Sequence, residues 1–379
     1  MSGNKKMQDT ESTNEWINGV EEKRIVTKKD IKENTQFSSQ QELIETSFRT
    51  NHSELQKELS QIIQYFDKIN IKEIDPITVS NEQEKLLLKK GFDIIVDETN
   101  DLIFRLSNKG IDSKLMKERV VEYFNNYNIS SQEIYNWLLS NQNSSNSIFL
   151  LGYFNYQGIE TNRNDVKAFN LFINALEKNH ILVQIYVGDC YKNGYGTIKN
   201  EKLAFEYIEK VAYKNFANGQ VRIGYFYKNG IGIKKDLKKA FYWYEKAANN
   251  GNTIAVCSLG LFYKEGMGVK KDDNKAFELF KQSAEEQFPD GIMMLGCCYE
   301  NGTGTEIDMQ KAFELFQKSA NLGSMVARYN LGIMYEYGKG ITKDIGKAIY
   351  WYKESSKQGY KNAQYRLEKL QKQQNQLNY

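Results

Sequence analysis

The chain has 379 residues and only two prolines, so helix is permitted almost throughout. Its 51 basic and 48 acidic side chains leave a net charge of +3, which gives no strong electrostatic case for nucleic acid or an anionic membrane as partner. No apolar run approaches the length of a membrane span; the polar stretch Met1 to Asp30 has no secretory h-region or myristoylation start, and the C-terminus carries no prenylation cysteine.

In chain order, residues 1–40 are poor in apolar side chains and read as a disordered tail. Residues 41–144 read as an N-terminal helical region docked on the remainder of the chain. Leu55, Leu59, Ile62, Phe66 and Ile69 recur at helical spacing, and Ser80-x-x-Gln83 has the form of a capping box opening the next helix. There Leu88, Phe92, Ile95, Leu102 and Leu106 make a second apolar stripe. Lys114 to Tyr127 predicts a third helix with Met116, Val120, Val121 and Phe124 inward, and Ser130-x-x-Glu133 caps a short fourth.

From residue 145 to 360 the sequence repeats every 36 residues. Marker glycines fall at Gly152, Gly188, Gly224, Gly260, Gly296 and Gly332 without slippage. A second glycine lies six residues on in each unit, and a third at Gly196, Gly232, Gly268, Gly304 and Gly340, with Glu160 in its place in the first unit. An alanine recurs at Ala168, Ala204, Ala240, Ala276, Ala312 and Ala348. A period of this length means stacked supersecondary units. In the unit from Thr253, Ala255, Leu259 and Tyr263 share a helix face. Gly260 removes a side chain where another backbone is expected to approach, Gly266 and Gly268 permit the turn, and Asp272 caps the second helix. Residues 361–379 form a C-terminal capping helix and polar tail, with Glu368 replacing the marker glycine.

The strings "LGLFYKEGMGVKKDDNKAFELFKQSAE" and "NLGIMYEYGKGITKDIGKAIYWYKESSKQG" closely resemble the Sel-1-like repeat family, an α/α solenoid related to tetratricopeptide repeats. The resemblance covers roughly the last 235 residues, departing at Asn155 and Glu160 in the first unit. It implies an all-α, right-handed superhelical solenoid whose concave face is lined mainly by first helices. It also implies scaffolding or adaptor roles, known in the family for signalling and membrane-protein degradation complexes; a role at the endoplasmic reticulum fits poorly with the absence of a signal peptide. The N-terminal region is similar to the segment that, in some large proteins, joins a protein kinase domain to such repeats. The alternative this raises is a regulatory or degenerate kinase relative that has lost the kinase domain, with a kinase as partner.

Residue types that carry chemistry are sparse. The glycine turns lack the full strings of phosphate loops and recur as a structural device would. The His-Arg-Asp and Asp-Phe-Gly strings of kinases are absent. His52 and His180 share no metal-ligand spacing, and Cys190, Cys257, Cys297 and Cys298 sit in first helices as small apolar packing residues. The expectation is a non-enzyme without cofactor or metal, an unrecognised hydrolase being the lesser alternative. Free thiols place it in a reducing compartment, the cytoplasm or the nucleus.

Recognition is expected on the first helices. One residue after the marker glycine come Tyr153, Tyr225, Leu261 and Ile333, and three before it comes Tyr329, in rows that are mostly apolar or aromatic. Four after it come Lys192, Lys228, Lys264, Glu300 and Glu336, a row that turns from basic to acidic. Placed roughly opposite the packed face, these rows predict an aromatic-rich groove with a charge gradient that orients a protein or peptide partner.

Overall fold

The computed structural model describes residues 76–377, with side chains over 91–373. The expected helix at Leu55–Ile69 and His52 lie outside the described residues. The second of the chain's two compact units, Gln83–Tyr379, contains the array and is all-helical among the described residues.

Among the described residues three helices precede the repeats: α1 (Pro76–Lys109), α2 (Ser113–Asn126) and α3 (Ser131–Ser140). Six pairs follow: α4 (Ser145–Gln157) with α5 (Asp165–Glu177), α6 (Val183–Asn193) with α7 (Glu201–Tyr213), and α8 (Ala217–Asn229) with α9 (Leu237–Asn249). Then come α10 (Thr253–Glu265) with α11 (Asp273–Glu285), α12 (Pro289–Asn301) with α13 (Met309–Asn321), and α14 (Met325–Tyr337) with α15 (Ile345–Ser356). The last helix, α16 (Lys361–Leu377), closes the array by burying Ala363 and Leu370. Consecutive pairs stack as a repeat solenoid.

Each pair is built the same way. The first helix ends on a glycine in the left-handed conformation, such as Gly266 at φ +67°. The second begins at an Asn or Asp whose side chain accepts from the backbone N–H three residues on; Asp272 does this for Lys275 at 2.9 Å. The backbone N–H of the same capping residue donates to the first helix, Asp272 to the Tyr263 carbonyl at 2.9 Å, which locks the turn.

The two glycine rows solve different problems. A Cβ on Gly260 would lie 2.6 Å from the Phe280 ring, so the marker glycine makes room for a side chain of its own unit, where the sequence suggested a backbone. The third turn glycine is the one that meets backbone. A Cβ on Gly268 would lie 2.6 Å from the Leu237 carbonyl at the start of the preceding unit's second helix. The first unit's Glu160 holds the left-handed φ of +54° with a full side chain, and among the described residues no repeat stands before it.

Adjacent units are joined by an aromatic ladder. Phe169, Phe205, Phe241, Phe277 and Phe313 each set an edge against a tyrosine of the next unit; Phe241 and Tyr263 have centroids 5.5 Å apart and rings at 87°. From the third unit on, a lysine of the tyrosine's own unit covers the ring, Lys275 over Tyr263 at 4.5 Å.

The N-terminal helices match their expected faces in part. Met116, Val120 and Phe124 are buried in α2, and the Ser130–Glu133 capping box is formed. Helix α1 begins at Pro76, so Ser80 and Gln83 lie inside it and do not open it. Its buried stripe runs through Ile95, Val96 and Ile103 and includes three polar residues, Thr99, Asn100 and Ser107.

Candidate interaction face

Helix α1 lies along the starts of four successive first helices. Asn146 of the first unit donates to Asp97 (2.8 Å) and its carbonyl accepts from Asn100 (3.3 Å). His180, just before the second first helix, bonds Asn100 Oδ1 at 3.2 Å. Because the Asn100 amide also donates to the Val96 carbonyl, its oxygen must accept, and the His180 proton is assigned to Nε2. At the third unit Phe216 meets Phe104 edge-on at 5.0 Å, and Asn218 donates to Ser107. At the fourth, Asn252 donates to the Asn108 carbonyl at 2.8 Å, and Gly110 leaves no room for a Cβ against Asn252 and Ile254. Helix α2 returns to the C-terminal end of α4, where Lys117 donates to the carbonyls of Gln157 and Gly158.

These helices cover part of the first-helix face. That face is the stripe two residues before, one after and five after each marker glycine. In the first two units Leu150, Tyr153, Tyr186 and Asp189 on this stripe are buried, the apolar ones in one core with Ile95, Ile103, Val120 and Phe124. From the third unit onward no residue of the stripe is buried: Tyr225, Asn229, Glu265, Asn301 and Tyr337 are exposed, and Arg222, Ser258, Leu261, Met294, Cys297, Asn330 and Ile333 are half-buried, which makes this the open part of the face. Tyr225 is 43% and Tyr337 54% exposed.

The residues singled out from sequence are distributed over this face unevenly. Tyr225, Leu261 and Ile333 are on its open part. Tyr153 is 0% exposed, enclosed by Phe149 and Tyr186, and its hydroxyl has no hydrogen-bond partner among the described residues. The row three before the marker is inside: Phe149, Ile185, Val221, Cys257 and Met293 are buried, and only Tyr329 is half-buried, packed on Tyr352 and Tyr360. The open stripe lies about 65° further round the helix than the rows chosen from sequence, since successive residues turn by about 100°. Arg222, Met294 and Asn330 were thereby missed. Two of them make cross-unit contacts that repeat register does not show: Arg222 pairs with Asp189 of the preceding unit, and Asn330 donates to Cys297.

The charged row is not a simple gradient. Lys264 pairs with Glu265 at 2.9 Å. Glu300 is paired with Lys339 at 3.0 Å; Glu336 is nearly buried, accepts from the Tyr352 hydroxyl at 2.6 Å and pairs with Arg366 at 3.4 Å. The acidic end therefore carries its own cations. Lys192 and Lys228 instead lie over the rings of Tyr225 and Phe262, at 5.1 and 5.8 Å, with no carboxylate partner among the described residues.

All four cysteines are free thiols. Burial pushes Cys190, Cys257 and Cys297 up to about 12 and Cys298 to about 11, which leaves no reactive thiolate at neutral pH. No group of three metal-ligating side chains occurs among the described residues, and no described helix is long and apolar enough to cross a membrane.

The Sel1 repeat family matches residues 145–180, 182–216, 217–252, 253–288, 289–324 and 326–360. A Sel1 repeat protein from Oxalobacter formigenes is 29% identical, with a TM-score of 0.53; the match covers 64% of this chain and 94% of that one. Protein c5321, a protective antigen of uropathogenic Escherichia coli with an SLR fold, is 24% identical over 73% of this chain and 58% of its own, at a TM-score of 0.50, and shares the fold. Comparison with the curated proteins returns no match. Six successive matched repeats, each with its marker glycine and capping residue in register, establish that the chain belongs to the Sel1 repeat family.

Proposed function

We propose that this chain is a non-catalytic protein-interaction scaffold that holds a partner on the open first-helix face of its third to sixth units. Sel1 repeats generally mediate protein–protein interaction. The observation that carries the reading is the change in burial along one stripe. The register whose Leu150, Tyr153, Tyr186 and Asp189 are buried in units one and two leaves Tyr225 exposed and Leu261, Cys297 and Ile333 half-buried in the next four. An apolar and aromatic row rimmed by polar side chains is the usual composition of an interface core. Burial keeps the four thiols protonated, which suits packing over nucleophilic chemistry, and their being free supports a reducing compartment such as the cytoplasm.

Partner capture with quantitative mass spectrometry tests it, comparing the wild-type chain with a Tyr225→Ala, Leu261→Ser, Ile333→Ser variant whose helicity is checked by circular dichroism. Partners retained by wild type and lost from the folded variant are the expected result. An unchanged partner set removes the face from consideration.

A further inference from the structure

The open face has a chemistry that narrows what it holds, and the inference rests on the scaffold reading above. Its centre is apolar, with one rung per unit. Adjacent first helices touch directly, as Arg222 with Asp189 and Asn330 with Cys297 show. At an interaxial spacing of about 9 Å, four rungs span about 27 Å, the length of a helix of about 18 residues.

One rim of this face is basic at the second to fourth units. Lys192 and Lys228 sit on it over aromatic rings with no carboxylate partner among the described residues. The adjoining turn adds the exposed Lys234 and Lys235 and the first turn of α9 adds Lys238 and Lys239, so that residues 217–252 hold seven basic and two acidic side chains. Residues 289–324 hold two basic and five acidic ones, and their Glu300 on the same rim is already matched by Lys339. The unmatched charge of the face is thus positive and lies at one end.

The face also shows how it accepts an occupant. In units one and two it is covered by helices, and α1 runs lengthwise across successive units, meeting one first-helix start after another from Asn146 to Asn252. The open stretch continues that covered stripe in the same register. We infer that the occupant is an amphipathic helix of a partner protein, about 18 residues long, lying along the array with an apolar stripe on Tyr225, Leu261, Cys297 and Ile333 and carboxylates toward Lys192 and Lys228. Charge complementarity and continuity with the intramolecular helix contact favour it over a second copy of this chain.

Two synthetic 18-residue helices test the inference, sharing one leucine stripe and differing only in glutamate or lysine flanks. Binding to the full chain is followed by fluorescence anisotropy at constant salt. The glutamate helix is expected to bind at least tenfold more tightly than the lysine helix. A Lys192→Glu, Lys228→Glu variant is expected to reverse the preference, a gain for the lysine helix that misfolding would not produce. Equal affinity for both helices, binding of neither, or sedimentation showing a dimer that the Tyr225→Ala, Leu261→Ser variant dissociates would each overturn the inference. If captured partners depend on the face while the helices are not discriminated, the scaffold reading survives and the acidic-helix chemistry fails. If capture ignores the face, the scaffold reading itself fails.

Discussion

At the scale of single residues, what a glycine does depends on what stands beside it. Gly232 has φ +66°, and a Cβ there would overlap the Glu201 carbonyl of the unit before. Gly232→Ala is therefore expected to cost about 2–4 kcal/mol in chemical denaturation, through left-handed strain and a backbone clash together. Glu160 holds the equivalent conformation at the head of the array, and Glu160→Gly is expected to change stability by less than about 1 kcal/mol. Equal costs at the two positions would mean that the neighbouring unit is not what demands glycine.

His180 is the second residue-scale case. It is buried, stacked on Phe149 at 4.3 Å, with Nδ1 unpartnered, and burial lowers its pKa to about 4 from an ordinary 6.5. The folded state thus resists a proton that the unfolded chain accepts. The stability His180 supplies is complete above pH 6.5 and is lost as the pH falls toward 4. Relative to His180→Phe, wild type is expected to lose at most about 3 kcal/mol across that window, at 1.36 kcal/mol per unit, and nothing above it. Denaturation of both proteins from pH 4 to 8 measures this; parallel curves would show that His180 stays solvated.

At the scale of elements, the repeat pairs were legible because every constraint is local. The capping residue, the turn glycines and the four-residue apolar spacing act within one unit, and 36-residue repetition multiplies the signal. The partner of the marker glycine was less legible, since Phe280 lies twenty residues from Gly260 and only the fold makes them neighbours. Helix α1 was harder still. Its buried face includes Thr99, Asn100 and Ser107, which a search for apolar periodicity passes over, and their partners lie up to 111 residues away. That placement carries its own prediction. A carboxylate buried at Ile103 is expected to speed amide hydrogen exchange in α4 and α6 at least tenfold, because an unpaired buried charge costs more than about 1.4 kcal/mol. Helices α12 to α14 should be unaffected, since each unit is stabilised mainly by its neighbours. Uniform acceleration would show that the array unfolds as one body.

At the scale of the whole array, the candidate face was half legible. The row holding Tyr225, Leu261 and Ile333 follows from repeat register, but which units leave it open depends on where α1 and α2 lie, and no repeat pattern encodes that. The same register misplaced the neighbouring rows, because a first helix in a stacked pair is packed on more than half its circumference. Phe149 to Met293 are consumed in that packing.

Repeat arrays change length by gaining or losing whole units, and here α1 restricts where that can happen. Its contacts at Asn146, His180, Asn218 and Asn252 match four unit starts to fixed points on one continuous helix. A unit duplicated or deleted among the first four would shift every later contact off its mark, as a misprinted ruler would. Beyond Phe288 no such gauge is engaged among the described residues. Variation in copy number is accordingly expected at the distal end, where each added repeat would lengthen the open face by one rung.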